Sequence, residues 1–187
     1  MRLRQQVNWR LLVPDLRAET AGLVRLADRD LRRLFARVGA GPVAAEALND
    51  LLPGLVTEYG AMGAAVAAEW YDEIRARRGV RGSFRAEPIR ASDRGARSLI
   101  EWAVVTATSD DALHQLILGG TQRRIADHVR ETVASSSIRD ASAQGWRRVG
   151  SGACDWCQQY LDGEIHYVEG YDFPAHDSCG CSVTPAW

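Results

Sequence analysis

Four cysteines and a histidine crowd the C-terminal end of this chain in the arrangement C-x2-C-x18-H-x2-C-x-C. They are Cys154, Cys157, His176, Cys179 and Cys181, and no cysteine precedes them. Thiolates and imidazole suit tetrahedral zinc, and a C-x2-C pair presents two sulfurs of a short segment to one ion. The spacing therefore predicts a structural Zn2+ site. A disulfide-stapled tail and a set of free buried thiols are the alternatives.

The candidate ligands outnumber the four places of a closed structural zinc site. We expect Cys154, Cys157 and His176 to take three of them. The fourth is Cys179 or Cys181, and the H-x2-C spacing favours Cys179, with Cys181 packed beside it as the alternative. A full ligand set leaves no position for a reacting water, so the protein is expected not to be an enzyme.

Helical periodicity dominates residues 1–145. Apolar residues recur at intervals of three and four along the first predicted helix, which is typical of one buried helix face. Predicted helices cover residues 16–38 and 43–77. Two further helices are predicted, one after an N-cap at Ser92 and one after an N-cap at Ser109. No segment before Gly150 alternates with period two for long enough to predict a strand.

Glycine and proline are expected to interrupt these helices. Pro53-Gly54 predicts a break or kink, residues 79–88 predict a loop, and Gly119-Gly120 predicts a second interruption. Such breaks allow an extended arrangement whose apolar faces do not all close on one another. We therefore expect the helices to contact a larger assembly, and a self-contained helical bundle is the alternative.

The character of the chain changes after Gly150. Asp162-Gly163 predicts a tight turn, and the alternating residues Glu164 to Val168 predict a strand after it. The segment after Gly150 is too short to bury enough apolar surface to fold unaided. A metal ion that holds it together is therefore expected. The predicted fold is mainly α, with a multi-helix region (residues 1–145) and a small C-terminal β-hairpin zinc-binding module (residues 146–187).

Composition limits the classes of partner. The formal net charge is −1, which provides no global field for gripping nucleic acid or an anionic membrane. Neither a signal-peptide pattern at the N-terminus nor a long uninterrupted apolar window is present in the sequence, so no membrane association is expected. Folding in a cytoplasm, where disulfides are disfavoured, adds weight to a metal site.

Three other activities have partial sequence support. A His-metal nuclease needs a general-base histidine, and His166 is the candidate near the cysteines. Arg147 and Arg148 lie among aromatic residues and can contact a nucleic-acid strand, although carboxylates make residues 150–187 acidic. A redox role for the C-x2-C pair lacks the surrounding βαβ pattern. The aromatic residues are expected to pack structurally.

Residues 145–157, with the sequence Gly-Trp-Arg-Arg-Val-Gly-Ser-Gly-Ala-Cys-Asp-Trp-Cys, precede the predicted hairpin and the segment Ala175 to Cys181. Together they resemble the C-terminal signature of Mu F-like head morphogenesis proteins, which are minor capsid proteins of tailed bacteriophages. The version in phages of actinobacteria is most similar, and the lysine-free, arginine-rich composition fits such a host. The resemblance covers roughly residues 138–185. Asp155 stands where the family often has proline, and its members are often longer.

This resemblance implies a structural role at the phage head. Such proteins are present in few copies near the portal vertex and assist head assembly, DNA packaging or DNA delivery. The implied partners are the phage portal and/or major capsid protein, with packaged DNA contacted at most indirectly and several copies in the assembly. The implied location is the virion head, assembled in the cytoplasm of the bacterial host. A nucleic-acid-processing zinc protein, such as a His-metal nuclease or a zinc-ribbon accessory factor, is the alternative.

Overall fold

A computed structural model describes residues 13–39, 42–150, 155–161, 163–167 and 173–187. Its elements are α1 (Val13–Val38), α2 (Pro42–Arg77), α3 (Ala96–Thr106), α4 (Asp110–Arg139), β1 (Trp146–Val149), α5 (Asp155–Gln158) and β2 (Ser182–Pro185). The two strands pair antiparallel, with Trp146 opposite Pro185 and Val149 opposite Ser182. The predicted mainly helical fold with a small C-terminal antiparallel pair is confirmed.

Helix α1 follows the predicted apolar pattern. Leu16, Ala27 and Leu31 of the predicted face are buried, and Phe35 joins them in the core. This face packs against α2 and α4. The predicted helix over residues 16–38 is thus confirmed, because its periodicity is satisfied by burial of one stripe.

Helix α2 runs through Pro53, so the predicted break at Pro53-Gly54 is wrong, while the alternative of a kink stays a prediction. Proline has no N–H, which leaves the carbonyl of Asn49 without its helical donor. Arg97 of α3 supplies a replacement, since its Nη1 donates to the Asn49 oxygen at 3.2 Å. The Thr57 hydroxyl donates to the Pro53 carbonyl at 2.8 Å. The tertiary bond from Arg97 therefore replaces the donor that the proline lacks.

Helix α4 also continues through Gly119-Gly120, so the second predicted interruption is wrong. A Cβ added at Gly120 would lie 2.4 Å from Cδ1 of Leu99, which shows that α3 approaches the α4 backbone at this point. Gly60 of α2 meets the His128 ring of α4 in the same way, at 2.6 Å. These glycines permit close helix packing, and α2 contacts α1, α3 and α4. The helices pack against one another and do not form the extended arrangement predicted from the breaks.

The two predicted N-caps have different outcomes. Ser109 precedes α4, and its hydroxyl accepts from the Ala112 N–H at 3.1 Å, as predicted. The cap at Ser92 is wrong, because α3 begins at Ala96 after Gly95 in the left-handed conformation (φ 69°). Ser92 instead uses its backbone N–H to donate to Nε2 of His128 at 3.1 Å. The predicted loop over residues 79–88 is confirmed.

The C-terminal strands differ from the predicted ones. β1 lies before Gly150, where no strand was expected, since four residues are too few for a visible alternation. Among the described residues of the predicted strand, only His166 pairs, in an isolated bridge with Trp146. Asp162 and Val168 lie outside the described residues, and Gly163 has the positive φ (75°) of a turn. The long-range partner of β1 is β2, which the sequence pattern did not reveal.

One apolar core joins the helices to the C-terminal segment. Tyr71 of α2, Val133 of α4, Trp146 of β1 and Val183 of β2 belong to the same buried cluster. A second core lies among α1, α2, α3 and the start of α4. The predicted domain boundary between residues 145 and 146 stays a prediction, but buried side chains contact one another across it.

Helix α2 contains a stretch long and apolar enough to cross a membrane. The stretch is Val43–Arg77, with a mean hydropathy of 1.2 in its most apolar window. The same helix is the centre of the bundle, and Leu48, Leu52, Val56 and Tyr71 along it are fully buried. A buried core helix meets the same length and composition criteria, so this stretch is weak evidence for a membrane span.

Candidate metal centre

Cys157, His176 and Cys179 converge in the C-terminal segment. Their ligand atoms all lie within 4.8 Å of one another. Sγ of Cys157 is 3.7 Å from Sγ of Cys179 and 3.2 Å from Nε2 of His176. Two sulfurs bound to one tetrahedral zinc at about 2.3 Å stand about 3.8 Å apart, and a sulfur and a nitrogen about 3.6 Å apart. The donor atoms therefore have nearly the spacing that a shared metal ion requires.

Two short elements bring these donors together. Helix α5 carries Cys157, and a turn over residues 176–179 carries the other two. In this turn the Cys179 N–H donates to the His176 carbonyl at 3.2 Å, and Ser178 has a left-handed backbone (φ 61°). The H-x2-C spacing thus becomes one tight turn with both side chains on the same side. β2 begins three residues later and anchors the turn to β1.

The hydrogen bond of His176 indicates which ring nitrogen can bind a metal. Nδ1 lies 2.6 Å from the backbone carbonyl of Asp177, and a carbonyl only accepts, so Nδ1 carries the proton. Nε2 then has a lone pair directed at the Cys157 side. An imidazole held in one tautomer by a carbonyl is the usual arrangement of a metal-bound histidine. The ring also meets the edge of Trp156 at 5.3 Å.

Two buried arginines flank the cluster. Arg148 of β1 places Nη2 3.7 Å from Sγ of Cys157 and 4.0 Å from Sγ of Cys179. Arg130 of α4 donates to the carbonyl oxygens of Cys181 and Cys179, at 3.0 Å and 2.7 Å. The first arginine contacts the donor sulfurs, and the second holds the backbone that carries them. Sequence reasoning missed both roles: the Arg147-Arg148 pair was considered only as a nucleic-acid contact.

Cys181 is buried beside the cluster without belonging to the three-residue group described above. A hydrogen bond with the Cys181 thiol and then burial raise the pKa of the Cys179 thiol. The contact between two buried sulfurs thus opposes ionisation of the Cys179 thiol. Cys154 lies outside the described residues. The choice of the fourth ligand, and the five-residue set as a whole, stay predictions.

The donor chemistry fits a metal ion. Cys157 and Cys179 are buried, Nε2 of the His176 ring lies toward the Cys157 sulfur, and the sulfur spacing matches one shared ion. Among the common divalent metals, zinc is well suited to a ligand set of soft sulfur and imidazole. The three residues can therefore hold a metal ion.

The remaining histidines of interest have packing roles in the described structure. His166 stacks on Trp146, with ring centroids 4.3 Å apart, and its backbone bridges to the same residue. His128 is fully buried in α4; burial and then the charge of Arg94 lower its pKa. The aromatic residues predicted to pack do so: Trp146 is buried, and Trp156 contacts Tyr160.

The fold and the site define a small, mainly helical protein with a thiol–imidazole centre at its C-terminal end. The profile of the family described as VG15 protein matches residues 10–187, and the chain belongs to this family. It is a viral gene protein family, so the match supports a phage-encoded protein without identifying the Mu F-like family specifically. Neither the curated proteins nor the solved structures contain a match to this chain.

Proposed function

We propose that this protein is a structural minor capsid protein of a tailed phage, present in few copies near the portal vertex, and that a zinc ion staples its C-terminal module. The observation that carries the proposal is the cluster of the buried Cys157 and Cys179 with the half-buried His176, attached to α4 in a chain of a phage family. The resemblance to Mu F-like head morphogenesis proteins supplies the location. A staple is what so small a module needs in order to stay folded.

The site supports a structural role better than a catalytic one. Structural zinc sites are closed by protein ligands, whereas catalytic sites keep one position for water. Here the sulfurs of Cys157 and Cys179 are buried, and two arginines lie beside the segment that carries them. The nuclease alternative needs a general base beside an open metal position, and the stacking of His166 on Trp146 favours a packing role for that ring.

Exposed apolar side chains on α3 support contact between the helices and a larger assembly. Val105 is 87% exposed and Trp102 is 47% exposed, and both lie on the side of α3 away from the buried Ile100 and Ala103. Large exposed apolar side chains are enriched at protein–protein interfaces. We place the portal or major capsid contact there, in preference to the zinc module.

Analysis of purified virions tests the proposed function. Particles separated into heads and tails should contain the chain in heads, at a copy number far below that of the major capsid protein. A phage with an early stop codon in this gene should yield fewer infectious particles. A chain abundant in infected cells but absent from virions would refute the structural role and favour the nucleic-acid-processing alternative.

The partner assignment has its own test. Val105→Asp should weaken co-purification of the full-length chain with the portal or major capsid protein, because it puts a charge into the apolar contact. Leu26→Asp is the matched control, because it puts the same charge at a 41% exposed apolar position on a different helix, α1. Equal binding by wild type and Val105→Asp would remove α3 from the interface.

A further inference from the structure

The buried guanidinium of Arg148 has no carboxylate partner among the described residues. Its polar contacts there are the Pro174 carbonyl at 2.7 Å and the sulfurs of Cys157 and Cys179. The residue is only 7% exposed, and its Cζ lies 4.0 Å above the Phe173 ring. An arginine is always charged, and a buried charge must be compensated by an opposite one. The neighbouring sulfurs are the groups that can provide the negative charge.

The sulfurs provide this negative charge only when the thiols are deprotonated. Neutral thiols are weak hydrogen-bonding groups and do not balance a guanidinium. Thiolates do, and a zinc ion keeps its cysteine ligands deprotonated. The thiolates of Cys157 and Cys179 balance the two positive charges of zinc. The predicted fourth ligand is also a cysteine, so the complete predicted Cys3His centre carries a net negative charge. The position of Arg148 is therefore electrostatically favourable when the centre holds its metal.

We propose that Arg148 is a positioning residue that stabilises the metal-loaded, thiolate state of the centre that contains Cys157, His176 and Cys179 by placing its guanidinium against both sulfurs. This inference rests on the metal-binding role proposed above. The guanidinium compensates the charge of the centre within the protein interior, where water cannot do so. Its bond to the Pro174 carbonyl also ties the turn that precedes His176 to β1.

Zinc affinity of the full-length protein tests the inference, with zinc alone as the probe and a chromophoric chelator as competitor. Arg148→Met keeps the aliphatic contact with Phe173 and removes the charge. We expect its zinc affinity to fall by about 10- to 100-fold, which is the usual effect of losing a group that contacts metal ligands. Arg148→Lys keeps the charge, so it should retain more affinity than Arg148→Met. Cobalt absorption spectra report whether the sulfur ligands remain bound.

Arg147→Met is the matched control. Arg147 is the adjacent residue of β1, and successive side chains of a strand point to opposite faces, so its loss should leave zinc affinity unchanged. Far-UV circular dichroism at saturating zinc checks folding. If Arg148→Met does not fold, Arg148→Gln replaces it, because the amide can still donate to the Pro174 carbonyl.

The outcomes separate two failures. A wild-type protein that binds neither zinc nor cobalt refutes the metal centre itself. A wild-type protein that binds zinc with the same affinity as a folded neutral variant at position 148 refutes the role of Arg148 alone. Equal losses in Arg148→Lys and Arg148→Met would show that the arginine acts through its shape, and would also overturn the proposal.

Discussion

Arg130 is expected to be the main polar link between α4 and the metal-centre turn. Its side chain is 2% exposed and makes three polar contacts: to the carbonyls of Cys179 and Cys181, and to Oδ1 of Asp127 at 2.8 Å. Arg130→Met keeps most of the aliphatic volume and removes all three. The carbonyls lose their donors in a buried position, where water cannot readily replace them.

The magnitude follows from these bonds. A hydrogen bond from a charged group contributes about 1.5–3 kcal/mol, so the two carbonyl bonds together contribute roughly 3–6 kcal/mol. Relief of the cost of burying a guanidinium offsets part of that, so we expect the free energy of unfolding to fall by about 3–5 kcal/mol. Since small domains are stable by only about 5–15 kcal/mol, this is a large fraction of the total.

Equilibrium urea unfolding in zinc-containing buffer, followed by far-UV circular dichroism and tryptophan fluorescence, measures this change. Arg123→Met is the control, because Arg123 lies on the same helix and pairs with the same Asp127, but at 3.9 Å and with a 43% exposed side chain. Exposed pairs contribute about 0–1 kcal/mol, so the control should change little. A loss below about 1 kcal/mol for Arg130→Met, or equal losses in both variants, would refute the reasoning.

Three further predictions concern other buried polar groups. Cys157→Ser should abolish the binding of about one zinc per chain and unfold the module, as measured by elemental analysis and proteolysis; a variant with normal zinc content contradicts the metal centre. Burial opposes ionisation of Asp140, but hydrogen bonds from Arg75, the Ser142 N–H and Trp187 outweigh it and lower its pKa. The stabilisation that ionised Asp140 provides is therefore present above the unfolded pKa of about 3.9 and is lost as the pH falls through the lower folded pKa. Asp140→Asn should lower the free energy of unfolding by about 3–5 kcal/mol near pH 7. In an acid titration, the stability of this variant should depend less on pH than that of the wild type. Burial, and then the charge of Arg94, lower the pKa of His128. Denaturant unfolding should therefore show that wild-type stability declines as the pH falls below about 6.5, and His128→Gln should reduce that decline. If stability falls with pH equally steeply in both proteins, His128 is not the source of the decline.

Local signals in the sequence predicted the parts of the fold that depend on neighbouring residues. The apolar stripe of α1 predicted its buried face, and the Ser109 hydroxyl with two following aspartates predicted the start of α4. Both depend on interactions within a few residues, where spacing alone determines which groups meet. The loop after α2 was predictable for the same reason, since Gly79 adopts a positive φ (63°) two residues after the end of the helix.

Distant contacts reversed the predictions that rested on helix-breaking residues. Pro53 lies inside α2 because Arg97 donates to the carbonyl that proline leaves free. Gly120 lies inside α4 because its missing side chain makes room for Leu99. Local propensity counts the cost of such a residue, but only the folded chain supplies the partner that offsets it.

The candidate site also has features that the sequence predicted and features that only the folded chain revealed. Cysteine and histidine types at short spacings were sufficient to predict a metal centre, because ligand chemistry and turn geometry are local. The pairing of β1 with β2, and the arrival of Arg148 and Arg130 at the donor sulfurs and their carbonyls, depend on residues far apart in the chain. The sequence by itself supplied the candidate ligand atoms. The tertiary structure decided that Cys157, His176 and Cys179 converge and which charges surround them, since both depend on distance in space and not along the chain.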